Sequence, residues 1–258
     1  MVHNISSLNA IVTGGASGLG AVISRRLGEH GVNVCINGLP SDQPAAEVIC
    51  KEISEKSNVK CTFIVADISN PQACDAVVAH AVKELGGLDI VIANAGWTRH
   101  AAWSDLDAFP EEDWLKSFRI NTLSVMWLFK AATPIFKKTF EDTGRAGVVI
   151  TTNSIAGTGP TGSSLPYSVT KAAQLRMVEG LARDNGPWAR VNAVCPGLII
   201  TPFSQAYGEE RMKALKQESP LKKEANLEDC AEVFMMLCQN DSITGKRITV
   251  DCGLSKVS

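Results

Sequence analysis

Tyr167-Ser168-Val169-Thr170-Lys171 sets a phenol and an ammonium four positions apart. In a helix that spacing places both on one face. A free tyrosine has a pKa of about 10 and is a poor base at neutral pH. A nearby positive charge favours the phenolate and lowers that value, so the pair could give or take a proton. Ser154 lies 13 residues before Tyr167, just past the β-branched run Gly147–Thr152, and strand ends in an open α/β sheet face a ligand crevice. On its own a Tyr/Lys pair on a helix is more often a surface feature. It gains weight only alongside Ser154 and a second feature near the start of the chain.

That feature is Thr13-Gly14-Gly15-Ala16-Ser17-Gly18-Leu19-Gly20. It lies between the apolar run Ala10–Val12 and a stretch, Gly18 to His30, whose Leu19, Val22, Ile23 and Leu27 recur at helical spacing. Gly14 suits a tight turn, Gly18 a close approach of backbone to pyrophosphate, and Gly20 close packing of helix on strand. The helix N-terminus offers unpaired N–H groups to phosphates. Alone, such a loop could equally be a strand-to-helix turn without a ligand.

The elements that must hold these residues alternate from end to end. Strands are expected at Val32–Ile36, Thr62–Ala66, Leu88–Ala93, Gly147–Thr152, Arg190–Cys195 and Arg247–Val250. Helices start at Ser41-Asp42 and at Asn70-Pro71, where a proline follows the capping residue, and run to about Lys56 and Leu85. Further helices are expected over Glu111–Lys138, bent near Pro134, and over Pro166–Asp184 and Leu227–Gln239. Near-continuous apolar strands imply burial on both faces. The fold class is therefore α/β, a three-layer doubly wound Rossmann fold around a central, mainly seven-stranded parallel sheet. Although the 258 residues would allow two domains, the unbroken alternation favours one spanning 1–258.

Composition removes other classes. With 25 Lys+Arg against 27 Asp+Glu, the net charge of −2 excludes a broad electrostatic footprint for nucleic acid. The 8 cysteines form no CxxC pair and read as small buried hydrophobes in a reducing, cytoplasmic setting. Neither Met1–Ser7 nor Lys256-Val257-Ser258 resembles a targeting signal, and no apolar run reaches the roughly 20 residues of a membrane span. No residue cluster suggests a metal.

Taken together, these motifs resemble the short-chain dehydrogenase/reductase family over essentially the whole chain. Thr13–Gly20, with Thr13, Gly14, Ser17, Gly18, Leu19 and Gly20, resembles the family's TGxxxGxG loop. Asp67, followed by Ile68, matches the acid that holds the adenine. Asn94-Ala95-Gly96 matches the NAG motif, with Ala93 where many members carry a second Asn. Asn121, Ser154, Tyr167 and Lys171 match the catalytic tetrad. Pro196-Gly197, with Ile199 and Thr201, matches the loop that meets the nicotinamide carboxamide and phosphate. Ile243-Thr244-Gly245 and Val250-Asp251-Cys252-Gly253 resemble the C-terminal pattern, with Cys252 in place of a glycine.

The resemblance implies an oxidoreductase that moves a hydride between NAD(P)(H) and a carbonyl or secondary alcohol. Tyr167 would be general acid/base, Ser154 would polarise the oxygen, and Lys171 would lower the Tyr167 pKa and hold the nicotinamide ribose. Asn121 would bind a water that continues a proton relay. Imine reduction, epimerisation or an idle nucleotide-sensing role are the alternatives on the same scaffold. At the end of the second strand, Ile36-Asn37-Gly38-Leu39 offers no acid to the ribose hydroxyls, and Asp42 falls on the next helix. Asn37 and Ser41 could bond either cofactor, and the absence of an acid tips the reading slightly to NADP(H) over NAD(H). Substrate loops are expected at about 97–112, 155–166 and 198–220, the last as a lid. Their aromatics suggest a moderately large, apolar small molecule. Arg99 could meet an anionic substrate or form a surface ion pair. Surplus apolar residues such as Met126 and Trp127, with the family likeness, imply a homodimer or homotetramer.

Overall fold

The computed structural model describes residues 3–255, so the terminal Met1-Val2 and Lys256-Val257-Ser258 read for targeting signals lie outside the described residues. Seven strands, β1 (Asn9–Thr13), β2 (Asn33–Gly38), β3 (Cys61–Val65), β4 (Ile90–Ala93), β5 (Gly147–Thr152), β6 (Ala189–Pro196) and β7 (Arg247–Val250), form one sheet in the order β3-β2-β1-β4-β5-β6-β7. Every pairing is parallel; Val12, for example, stands opposite Ile36 on β2 and Ile92 on β4. Successive residues of a strand point to opposite faces. Val12 and Ile36 thus join one core cluster and Ile11 and Cys35 the other.

Helices α1 (Gly18–Glu29), α2 (Gln43–Ser57) and, late in the chain, α9 (Leu227–Gln239) cover the first face. On the second lie α3 (Pro71–Leu85), α5 (Ser124–Thr143) and α6 (Leu165–Asp184), with α4 (Glu111–Phe118) packed against α6. Local chemistry sets their ends. The Asn70 side chain accepts from Ala73 N–H at 2.8 Å and Pro71 follows it, so α3 begins there. Gly31, at φ 77°, lets the chain turn from α1 into β2.

Two expectations are corrected. Glu111–Lys138 is not one helix bent at Pro134: α5 runs through Pro134, and the interruption is a π turn at Arg119–Leu123, which carries Asn121. Single π turns inside α-helices recur at functional sites because they re-aim side chains. The stretch 198–220 also contains two further helices, α7 (Pro202–Gln205) and α8 (Glu209–Glu218), where a loop was expected. Among the described residues, no helix is long and apolar enough to cross a membrane.

Candidate active site

After β1 the chain winds outward through β2 and β3, then returns to β4 on the other side of β1. The connections leaving β1 and β4 diverge, opening a crevice at their carboxyl ends. A cavity of about 460 Å³ occupies it.

The glycine loop forms its floor. Gly14 and Gly18 have φ +61° and +49°, and a Cβ on Gly20 would lie 2.2 Å from the Gly14 carbonyl oxygen and 2.5 Å from Asn94 Nδ2. Only bare backbone fits there. Ser17 caps α1 without committing its hydroxyl to the helix, and the α1 N-terminus supplies a positive dipole end. A Cβ on Gly18 would lie 3.2 Å from Thr201 Cγ2, so the segment after β6 closes over the loop. Pro196, Gly197, Ile199 and Thr201 line that wall, and Asp67, Ile68, Asn94, Ala95 and Gly96 line others. This cradle, with a helix N-terminus at its centre, fits a pyrophosphate.

Two expectations differ, and a third residue has a further tie. Thr13 does not line the cavity; its hydroxyl accepts the N–H groups of Asn94 and Ala95, each at 3.0 Å, and so ties the two diverging loops together. Asn37 reaches the cavity wall, yet its amide donates to Ala66 O at 2.9 Å across the β2/β3 seam. The end of β2 is not without an acid. A 3₁₀ turn over Pro40–Asp42 folds Asp42 back, its carboxylate accepts Leu39 N–H at 2.8 Å, and it lines the cavity.

At the other end of the cavity stand Ser154, Tyr167 and Lys171. Ser154 follows β5 and caps a 3₁₀ turn, its Oγ accepting from Ala156 N–H at 3.1 Å. Ser164 caps α6 by accepting from Tyr167 N–H at 3.3 Å, which sets Tyr167 in the first turn. One turn on, Lys171 is 2 % exposed. Its Nζ donates to Thr152 O at 2.7 Å and lies 5.6 Å from the centre of the Tyr167 ring. The Phe203 ring covers Tyr167 at 5.9 Å. Burial pushes the Tyr167 phenol well above its ordinary value, while the Ser154 hydroxyl pulls it down. Burial pushes the Lys171 ammonium down to about 8. Both groups are thus held toward their neutral forms.

Asn121 lies behind the wall. Its Oδ1 accepts Trp97 N–H at 2.7 Å and its Nδ2 donates to Trp97 O at 2.9 Å, with the Ser117 and Thr170 hydroxyls each 3.1 Å away. Its side chain is therefore committed to holding Gly96-Trp97 in place. Around the mouth, Trp97, Phe203, Tyr207 and Leu215 give an apolar lining. The loops there are joined: Thr98 Oγ1 lies 2.6 Å from Ser163 Oγ, and His100 meets Tyr207 edge to face at 4.6 Å. Arg99 pairs with Asp113 at 2.5 Å, the surface ion pair rather than a free anion site. Two buried amides, Asn153 and Gln174, escaped the sequence reading. Among the described residues, no group of three or more His, Cys, Asp or Glu could hold a metal.

Residues 14–255 match the family model described as enoyl-(acyl carrier protein) reductase. A Streptomyces violaceoruber protein, named as a candidate ketoacyl reductase 2 of the granaticin polyketide synthase, is 32% identical over 246 residues, covering 95% of this chain and 94% of its own. A solved short-chain dehydrogenase from Burkholderia cenocepacia J2315 in complex with NADP has 28% identity and a TM-score of 0.87, covering 98% of this chain and 99% of its own. A 7α-hydroxysteroid dehydrogenase complexed with NADH and 7-oxo glycochenodeoxycholic acid has 25% identity and a TM-score of 0.88, covering 97% and 95%. The dinucleotides bound by these two neighbours are of the kind that a glycine cradle at a helix N-terminus fits.

Proposed function

The chain belongs to the short-chain dehydrogenase/reductase family of oxidoreductases, and on that footing we propose that it interconverts a carbonyl and a secondary alcohol, with Tyr167 as the proton donor and acceptor. The observation that carries this reading is the meeting of Ser154, Tyr167 and Lys171 in the cavity whose other end is the glycine cradle.

NAD(P)(H) supplies the hydride when bound. Gly14, Ser17, Gly18, Leu19 and Gly20 would hold its pyrophosphate, Asp67 and Ile68 its adenine, and Asn94, Ala95, Gly96, Pro196, Gly197, Ile199 and Thr201 the remainder of the groove. Ser154 orients the substrate oxygen and stabilises charge on it. Tyr167 gives that oxygen its proton. The Ser154 hydroxyl, and Lys171 when charged, stabilise the phenolate that results. Asn121 contributes by fixing the Gly96-Trp97 backbone against the site.

The chain is read as one dinucleotide-binding domain, with segments 97–112, 155–166 and 198–220 on the substrate side. The apolar mouth supports a moderately large, apolar carbonyl substrate. Leu123, Met126 and Val169, exposed on the π turn, α5 and α6, support pairing of two copies through these elements. The eight free thiols support a reducing, cytoplasmic setting.

The test is a panel of ketones, among them a steroid ketone and a β-ketoacyl thioester, assayed with NADH and NADPH by nicotinamide absorbance. A member of the panel is expected to turn over, and Tyr167→Phe is expected to lower kcat by about 10²–10⁴ with the dinucleotide still bound. Turnover that persists in Tyr167→Phe overturns the assignment.

A further inference from the structure

Two buried amides tie the elements of this site together, and neither has a part in the chemistry above. Gln174, on α6, is 1 % exposed, and Asn153, immediately before Ser154, is 2 % exposed. Gln174 Nε2 donates to the main-chain oxygen of Asn121 at 2.5 Å, and Gln174 Oε1 accepts from Asn153 Nδ2 at 2.7 Å. The same Nδ2 donates to Lys171 O at 2.9 Å, while Asn153 Oδ1 accepts Ser154 N–H at 2.8 Å.

One continuous chain of bonds therefore runs from the π turn that carries Asn121, through Gln174 and Asn153, to the backbone of Ser154, with a branch to the backbone of Lys171. Its polarity is determined. A carbonyl at one end needs a donor and an amide NH₂ at the other needs an acceptor, and only one orientation of Gln174 satisfies both. An apolar side chain would fill this volume at less cost, since a buried amide is tolerated only when fully bonded. Fully bonded buried networks rigidify what they connect. Here they connect the three elements that supply Asn121, Ser154, and the Tyr167/Lys171 pair. Gln174 itself does not line the cavity.

We propose that Gln174, acting through Asn153, is a positioning residue that sets the Ser154 hydroxyl against the Tyr167 phenol and locks the π turn to the same frame. The proposal rests on the reading of Tyr167 as acid/base. It accounts for polar residues at two positions where the core packing alone would favour apolar ones.

The test needs no substrate. In a Tyr207→Phe background Tyr167 is the only tyrosine, and its ionisation can be followed by phenolate absorbance with saturating NAD⁺ or NADP⁺. The titratable groups facing the phenol are then Lys171 and Cys195. Gln174→Met removes both bonds at similar length. It is expected to raise the pH at which Tyr167 ionises by about one unit, a tenfold loss of phenolate at fixed pH. Asn153→Ala breaks the next link and is expected to do the same; if Gln174→Met does not fold, this variant carries the test. Because both act through one chain, the double variant should shift no further than either single one. An unmoved titration in variants that melt cooperatively and still bind dinucleotide overturns the proposal, as does full additivity. If dinucleotide fails to lower the Tyr167 titration in the parent itself, the acid/base reading falls and takes the proposal with it. That outcome is distinct from a normal parent with unmoved variants, which removes the clamp alone.

Discussion

Asp42 is the residue at which the structure says most about the choice of dinucleotide. Its carboxylate is folded back to Leu39 N–H and lines the cavity beside Gly38 and Leu39. No Lys or Arg lines the cavity from the glycine loop or from residues 37–42. A 2′-phosphate carries nearly two negative charges at neutral pH, whereas a 2′-hydroxyl can donate to a carboxylate. Two unit charges about 5 Å apart repel by about 1 kcal/mol at the dielectric constant of water and about 3 kcal/mol at an effective value of 20. Asp42 is half-buried at an open rim, so the lower figure, roughly doubled for the phosphate charge, is the relevant one. Asp42→Asn keeps an oxygen for Leu39 N–H and removes the charge. It is expected to move the NADPH:NADH affinity ratio toward NADPH by about ten- to thirty-fold. Fluorescence titration of both reduced dinucleotides, wild type against variant, measures it. The wild-type discrimination should also weaken from low to high salt, because exposed charges are screened over about 10 Å at 0.1 M. An unchanged ratio refutes the electrostatic argument. If that unchanged ratio comes with an equal loss for both dinucleotides, Asp42 serves the shape of the turn.

Lys171 is expected to be a thermodynamic burden. Its folded pKa of about 8 lies below the unfolded value near 10.4, so the folded state holds fewer protons between the two, and stability rises with pH through that window. Lys171→Met is expected to raise unfolding stability at pH 7 by about 2 kcal/mol, the burial penalty less the bond to Thr152 O, with the gain fading by pH 10.5; denaturant melts at several pH values check it. Gly20→Ala and Gly147→Ala separate binding from packing. A Cβ on Gly20 strikes Gly14 O at 2.2 Å inside the cradle, and one on Gly147 strikes the buried Phe136 ring at 2.2 Å. Dinucleotide affinity should fall at least about tenfold in the first, and stability by about 1–3 kcal/mol in the second, read by titration and by denaturant midpoint respectively.

How much of the molecule was legible in the sequence depended on whether its cause was local. Asn70-Pro71 marks the start of α3 because cap and proline act within one turn, and the structure begins the helix at Pro71. Gly147–Thr152 reads as a strand because β-branched residues suit a pleated, doubly buried position, and its bounds are unchanged. The interruption at Arg119–Leu123 was not legible. Pro134 is the obvious irregularity on paper, yet the π turn sits where Asn121 bonds both polar groups of the Trp97 backbone and Thr122 donates to Thr170 O at 2.9 Å. Those contacts come from elements distant in the chain.

The same distinction divides the site. Gly14, Gly18, Gly20, Ser154, Tyr167 and Lys171 are legible because each stands at an element's end or within one turn of a partner. Thr13 misleads because it opens the glycine motif, while its hydroxyl is taken by the return of β4 beside β1. Asp42 misleads in the opposite sense. The sequence reads it as part of the next helix, but a 3₁₀ turn over Pro40–Asp42 folds it back toward the end of β2. Gln174 and Asn153 carry no motif, since their meaning lies in a bond between α6 and the end of β5 and another to the π turn. A buried amide has one physical excuse for its place, which is that its donors and acceptors are met. Where the partners are the backbones of Asn121, Ser154 and Lys171, meeting those needs and holding the site in register are one requirement. A substitution that keeps size and loses the bonds should therefore alter proton chemistry before it alters the fold.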